Sequence, residues 1–285
     1  MIDQHAGKVS VRKACVLLGV RRQGYYERQA REESMRRLQD RILTAQIKNH
    51  FFESKRIYGA RKIQVLLRRE GHSISRRRVR RLMNAAMLVP VTYRKYKNTT
   101  DSKHGLAVFP NLLAGKFEAS APNRIWVTDM TYIPTEEGWL YLCTIVDIFS
   151  RRVVGWAVGT RIDRYLAIAA LEHAIALRKL ARGWMLHSDQ GSPYASADFR
   201  NAVLMAKGVQ SMSRCGNPYD NACAERFFRS LKDEFLKLRH FTTREQAHLA
   251  IAEYMLFYNR LRIHASLGYR SPSDFETLFS QLPVA

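Results

Sequence analysis

Apolar residues recur at helical spacing along the first third of the chain and at strand spacing in its middle. In Val9 to Tyr26, VSVRKACVLLGVRRQGYY, Ser10 stands where a helix cap is expected, an apolar helix runs through Val16 and Leu17, and Gly19 marks a turn. Cys15, four residues before Gly19, is the small residue that lets two helices approach. Arg21 and Arg22 open the second helix, facing phosphate or a base edge. This is a helix-turn-helix outline, and a short hairpin that binds nothing has the same pattern. From Leu38 to Leu88 three further helices are predicted, on Leu43, Ile47 and Phe51, on Ile63, Leu66 and Leu67, and on Val79, Leu82, Met83 and Ala86. Gly59 and Gly71 punctuate them and Ser75 caps the last.

Regularity fades between Val89 and Asn123. Pro90, the polar stretch YRKYKNTTDSKHG, Pro110 and Pro122 predict a linker with a short docking segment at FPNLL; Tyr93 and Tyr96 are minor candidates for stacking on bases. Beyond it, IWVTDMTYI, WLYLCTIVDIF and RRVVGWAVG are rich in β-branched and aromatic residues, and the turns EEG and SRR separate them, which predicts an antiparallel meander. A helix from Tyr165 to Leu180, a strand WMLHSD, a helix around Phe199 to Ala206, a strand VQSMS and a helix DNACAERFFRSLKDEFL follow. That order fits an α/β ribonuclease-H-like mixed sheet with flanking helices, preceded by an all-α region, although several other α/β folds share the strand count. The predicted units are a helix-turn-helix-like segment (1–34), a basic helical DNA-binding domain (35–90), a linker (91–121), the α/β core (122–240) and a C-terminal helical tail (241–285). In the tail, TTREQAHLAIAEYMLFYN forms a helix with Ala247, Ile251, Tyr254 and Tyr258 as its stripe. His264 and Tyr269 then lie in a loop-like stretch, open to packing on the core or to DNA.

Charge sharpens this division. The 285 residues carry a formal net charge of +22, of which +18 falls in residues 1–120 and +4 in 121–285. Such a balance points to a polyanion, nucleic acid before anionic membrane. The third helix of the basic region concentrates it: Arg76, Arg77, Arg78, Arg80 and Arg81 stand without an acid among them, repel one another, and favour DNA contact over a merely solvated face. No apolar run approaches the roughly 20 residues of a membrane helix, and MIDQHAGKVS lacks a signal peptide's apolar segment, so a soluble cytoplasmic protein is expected. The cysteines Cys15, Cys143, Cys215 and Cys223 show neither CxxC pairing nor zinc-finger spacing, and Cys143 reads as a small core residue.

Three acids remain to be explained. Asp129 falls in the first strand, Asp189 at the end of the fourth, and Glu225 on the helix about one turn after the Asp220 and Asn221 cap, with thirty-five residues between the last two. If the first and fourth strands are neighbours, the aspartates lie side by side and the helix brings in the glutamate. Clustered carboxylates repel unless cations neutralise them, and Mg²⁺ or Mn²⁺ prefers such oxygen ligands. Two such ions can activate the attacking oxygen and stabilise the leaving oxygen of a phosphodiester. Asp147 and Asp163 are other acids of this region, and Asp198 and Asp220 read as helix caps. His187 shares a strand face with Asp189 and is expected to support it by a hydrogen bond. Arg229 and Lys232, four and seven residues after Glu225, share its helical face and are placed to hold DNA, while Phe227 and Phe228 anchor the helix.

WVTDMTYI, LHSDQGSPY and NPYDNACAERFFRSLKDE resemble the DDE integrase core of the IS3 family of insertion-sequence transposases, specifically its second open reading frame. YGARKIQVLLRREG with VRRLM resembles that family's helix-turn-helix region, and YNRLRIHASLGYRSPSDF its tail. The resemblance implies Asp129, Asp189 and Glu225 as a metal triad with Mg²⁺. It also implies two steps, hydrolysis that frees a 3′-OH at an element end and attack of that hydroxyl on target DNA. The partners implied are double-stranded DNA (terminal inverted repeats and target) and further copies of the chain on that DNA, at a bacterial nucleoid. The product of an upstream reading frame is another, because family members usually act as a fusion that supplies a coiled coil, and this chain has no sustained heptad pattern. A hydrolysis-only nuclease of the same fold and a non-catalytic DNA-binding regulator of transposition remain as alternatives.

Overall fold

The computed structural model describes residues 10–30, 33–91, 108–115, 118–214 and 221–281. The stacking candidates Tyr93 and Tyr96, together with Cys215 and Asp220, lie outside the described residues.

Five helices precede the sheet: α1 (Val11–Leu17), α2 (Arg22–Ala30), α3 (Met35–Glu53), α4 (Ala60–Arg69) and α5 (Arg76–Ala85). Ser10, Ser34 and Ser75 cap α1, α3 and α5, each side chain accepting from the backbone N–H three residues on. Cys15 is the residue that α1 buries. Val16 and Leu17, expected on the apolar face, are 77% and 81% exposed, because this seven-residue helix, packed on α2, buries only its Cys15 side among the described residues. In contrast α3, α4 and α5 share a closed core of Leu43, Ile47, Phe51, Ile63, Leu67, Val79, Leu82 and Met83, as their spacing predicted.

The sheet consists of β1 (Ile125–Thr135), β2 (Gly138–Asp147), β3 (Val153–Gly159), β4 (Met185–Ser188) and β5 (Val209–Met212), in the order β3-β2-β1-β4-β5. β1 pairs antiparallel with β2 and parallel with β4, so the central strand joins the meander to the crossover half. Gly138, at φ +101°, makes the tight turn from β1 to β2 possible. On one face lie α6 (Arg164–Leu177), α7 (Ser192–Ala195) and α8 (Ala197–Met205), packed around Trp126, Trp184, Leu171 and Phe199. Here α6 approaches so closely that a Cβ on Gly155 of β3 would stand 2.4 Å from the Ala170 carbonyl. The opposite face is covered by α9 (Ala222–Glu234) and α10 (Arg244–Arg260) around Val127, Ile133, Phe227, Ile251 and Tyr254. This is the ribonuclease-H-like arrangement predicted, with all-α helices before it.

The ends of elements differ from the sequence reading where tertiary partners intervene. α6 stops at Leu177 rather than Leu180, because Arg178 turns into an extended cap whose guanidinium donates to Glu276 (2.7 and 2.8 Å) and to Asn123 (2.7 Å). Glu276 belongs to α11 (Pro272–Gln281), a final helix that Ser271 caps through Asp274 N–H and that was not foreseen. The tail also reaches the front helices: Ile263 joins their core, Tyr58 Oη donates to Leu261 O (3.2 Å), and Ile263 N–H donates to Tyr58 Oη (2.8 Å). His264 packs edge-on to Tyr258 in the core, and the Tyr269 carbonyl accepts from Arg69 of α4, so both pack within the protein. Among the described residues no helix is long and apolar enough to cross a membrane.

Candidate active site

β1 alternates its side chains between the two layers. Val127 and Ile133 point into the α9/α10 core and Trp126 into the α6/α8 core, which puts Asp129 on the face from which α9 approaches. The parallel register ends with Val127 opposite His187, and Asp129 and Asp189 each stand two residues beyond that last pair, Asp189 just past the end of β4. Asp189 Oδ1 accepts from Gly191 N–H at 2.9 Å, which closes the turn into α7. Asp129 Oδ1 accepts from Met130 N–H at 2.7 Å.

The two carboxylates interact. Burial first, then the facing Asp189 carboxylate and more weakly Glu225, push Asp129 up to about 8, against the Met130 hydrogen bond and the charge of Lys232. Glu225, in the first turn of α9, is raised by burial and held back by Arg229. Phe227, Phe228 and Leu231 of α9 are buried in the core, which fixes the helix face that carries Glu225, Arg229 and Lys232. Arg229 is exposed; Lys232 is half-buried, its ammonium 5.3 Å from the Tyr132 ring centroid.

Several contacts at this site escaped the sequence reading. Asn221, expected to cap α9, makes no side-chain cap bond; its amide donates to Thr128 O (3.4 Å), which ties the start of α9 to β1 beside Asp129. Behind β1, the Tyr194 hydroxyl lies 3.3 Å from Thr128 Oγ1 and 3.7 Å from Cys143 Sγ, a buried polar cluster that backs the carboxylates. Burial pushes the Cys143 thiol up to about 12, so it stays neutral there. The Tyr in GSPY and the Asn in YDNA were visible in the sequence, but neither has a spacing that tells where its side chain goes. His187 is fully buried, with Nδ1 2.9 Å from Ser211 Oγ on β5.

Other acids take structural roles. Asp147 is buried and accepts from Asn123 N–H, Trp126 Nε1 and the Phe149 N–H. Asp163 caps α6 through Leu166 N–H. Asp198, read as a cap, lies inside α8 and pairs with Arg164, while Ser196 makes the cap.

The oxygen-only donor set of Asp129 and Asp189 suits a hard divalent cation, and Asp129 is raised by burial first and by the Asp189 charge second. Among the described residues no group of three His, Cys, Asp or Glu side chains converges on one point; Asp189 acts on Asp129, and Glu225 acts on it more weakly from α9.

The arginine helix is less bare than its sequence. Asp40 of α3 accepts from Arg78 Nε (2.9 Å) and from Arg81 (2.6 Å), so the expectation of five arginines without an acid holds only within α5 itself. Arg76, Arg77 and Arg80 are exposed and line one hollow with Ala60. Arg21 and Arg22 are exposed at the start of α2.

Comparison with known proteins agrees with this architecture. Residues 119–218 and 208–272 match family models described as "Integrase core domain", and residues 37–96 match one described as "HTH-like domain". The chain is 40% identical to the transposase for insertion sequence element IS904 of Lactococcus lactis subsp. lactis (strain IL1403), over 86% of this chain and 98% of that one. It is 36% identical to transposase InsF for insertion sequence IS3A of Escherichia coli (strain K12), over 96% of each. Its fold is shared by a chain of the simian T-cell lymphotropic virus intasome in complex with PP2A regulatory subunit B56 gamma, with a TM-score of 0.51 at 18% identity, over 84% of this chain and 77% of that one. With an integrase core, a helix-turn-helix-like region and relatives matched over most of its length, the chain belongs to the IS3 family of insertion-sequence transposases.

Proposed function

We propose that the protein binds the ends of its insertion sequence and catalyses metal-dependent strand cleavage and strand transfer, with Asp129, Asp189 and Glu225 holding Mg²⁺ or Mn²⁺. The observation that carries this reading is that Asp129 and Asp189 each lie two residues beyond the last pair of β1 and β4, where the Asp189 carboxylate raises Asp129, with Glu225 acting on it from α9. Two ions bound there supply charge that activates an attacking oxygen and stabilises a leaving oxygen. In the first step water adds to phosphorus at the element end, the bond to the 3′ oxygen breaks, and that oxygen leaves with a proton as a 3′-OH. In the second, this hydroxyl adds to a target phosphorus and a target 3′-OH leaves, so one phosphodiester replaces another.

The chain's own residues position the substrate. Arg229 and Lys232 share the face of α9 with Glu225, where they hold the phosphates of the cleaved strand. Arg76, Arg77 and Arg80 contact the backbone of the terminal repeat, with Arg21 and Arg22 as a second basic point, and Arg78 and Arg81 divide their charge between DNA and Asp40. This reading places the protein in the cytoplasm, with further copies of the chain on the two ends and the product of an upstream reading frame as candidate partners. In the test, Asp189→Asn retains binding to a labelled terminal repeat and loses Mg²⁺-dependent joining to target DNA. Undiminished joining removes Asp189 from the site, and binding without joining by the unaltered protein would favour a regulator of transposition.

A further inference from the structure

Three residues along β1 from Asp129, about 10 Å at the rise of a strand and, by its alternation, on the other face of the sheet, stands an aromatic pair that strand transfer does not use. Tyr132 and Trp139 flank the β1–β2 turn with ring centroids 4.9 Å apart at 82°, and they are 44% and 49% exposed. Aromatic rings of this size are normally covered by a layer of the core, yet these lie at the tip of the hairpin, half open to solvent. Their neighbours are cationic. The Lys232 ammonium stands 5.3 Å from the Tyr132 ring centroid, and the same charge acts on the Asp129 carboxylate, so one side chain spans the acidic site and the aromatic pair. Arg244 Nε donates to the Trp139 carbonyl at 3.2 Å. The two acids of the turn are engaged elsewhere: Glu137 accepts from Arg244 N–H at the start of α10, and Glu136 is 3.8 Å from His240.

We propose that Tyr132 and Trp139 form a stacking platform for an unpaired base at the DNA end, with Lys232 on the adjoining phosphate. Exposed aromatic rings beside a cation are the chemistry that recognises single-stranded nucleic acid, since every base offers a π-face and every linkage an anion. The placement gives the platform a purpose: Lys232 links the two faces, so a strand whose phosphate lies at the carboxylates passes this ammonium on its way to the rings, and an unpaired base held there keeps the reacting end from re-annealing. The proposal rests on the reading that a DNA end occupies the carboxylate site, but it concerns binding and not the chemical step.

The test uses the full chain and two duplexes of one sequence, one blunt and one with a short single-stranded 5′ arm bearing 2-aminopurine, in EDTA so that no strand is cut. The arm is expected to tighten binding on the order of tenfold and to quench 2-aminopurine fluorescence. Trp139→Ala removes both effects and leaves blunt-duplex affinity and thermal midpoint unchanged, while Trp139→Phe keeps most of each. Tyr132→Leu serves as a second variant and weakens the arm effect. Arm preference and quenching that persist in Trp139→Ala overturn the platform, as does an unaltered protein that binds both duplexes equally. Asp189→Asn keeps the arm effects while losing joining, so failure of the catalytic reading and failure of the platform give different results.

Discussion

Arg262 of the tail forks onto Glu234 in the last turn of α9, its Nε 2.7 Å from Oε2 and a second guanidinium nitrogen on Oε1, with both side chains almost fully buried. Tyr254 Oη (3.3 Å) also donates to Glu234, Arg262 reaches Ser230 Oγ (3.3 Å), and His264 lies beside the guanidinium. The far end of the helix that carries Glu225 is therefore fastened by a residue outside the sheet. Arg262→Ala leaves a buried carboxylate uncompensated and should cost about 3–5 kcal/mol in urea unfolding. In a double-mutant cycle Glu234→Gln should recover part of that loss, and strict additivity would show that the two do not interact.

The same tail holds the front helices through Tyr58. Tyr58→Phe leaves the Ile263 N–H without its buried acceptor and removes the donor to Leu261 O, so a loss of about 1–3 kcal/mol is expected. Limited proteolysis around residues 261–263 should accelerate in step, and an unchanged cleavage rate would mean that this joint contributes nothing.

Asp129 makes stability fall with pH when no cation is bound. Its folded value, about 8, exceeds the ordinary 3.8, so the folded protein binds more protons than the unfolded chain between these limits. Its contribution is complete below about pH 4 and is lost as pH rises through 8, at no more than about 1.4 kcal/mol per pH unit. Asp129→Asn should flatten this slope in denaturant titrations. Added Mg²⁺ should stabilise the unaltered protein progressively more as pH rises, and a stabilisation independent of pH would contradict the assignment of Asp129 as a ligand.

On α5, Arg77→Ala with Arg80→Ala should weaken binding to the terminal repeat and reduce the slope of log K against log salt by roughly 2, about one unit for each phosphate that is no longer neutralised. Asp40→Asn should act in the opposite sense, since it releases Arg78 and Arg81 from their carboxylate. A salt slope unmoved by all three substitutions would make this face merely solvated.

Close packing gives a prediction independent of DNA. Gly155→Ala drives a methyl group to 2.4 Å from Ala170 O and 2.6 Å from Ala174 Cβ, so α6 must shift away from β3. A loss of about 1–3 kcal/mol, the usual range for overpacking, should lower the thermal midpoint without changing the salt dependence of DNA binding.

Much of this was legible because local chemistry and tertiary environment agree. Strands β1 to β3 announce themselves by β-branched and aromatic runs that the sheet then buries, and the Ser10 and Ser75 caps function as their sequence position implies. The neighbouring placement of Asp129 and Asp189 followed once the first and fourth strands were paired. What stayed hidden depends on partners remote in sequence. Asp40 reaches Arg78 and Arg81 from another helix, Glu234 and Arg262 look like separate surface charges until α9 and the tail fold together, and Asn221 passes for a cap although it grips β1. Val16 and Leu17 show the converse, a helical pattern whose covering layer does not follow from the pattern.

The bond from Ile263 N–H to Tyr58 Oη spans 205 residues, and this has a consequence during synthesis. A ribosome adding about 5–20 residues per second presents α3, α4 and α5 roughly 10 to 40 seconds before the segment that completes their core. The basic helices thus emerge before Ile263, with Tyr58 and the pocket for Ile263 still open. Until then the face that Ile263 covers stays open, so the front helices depend for their closure on a segment made long after them.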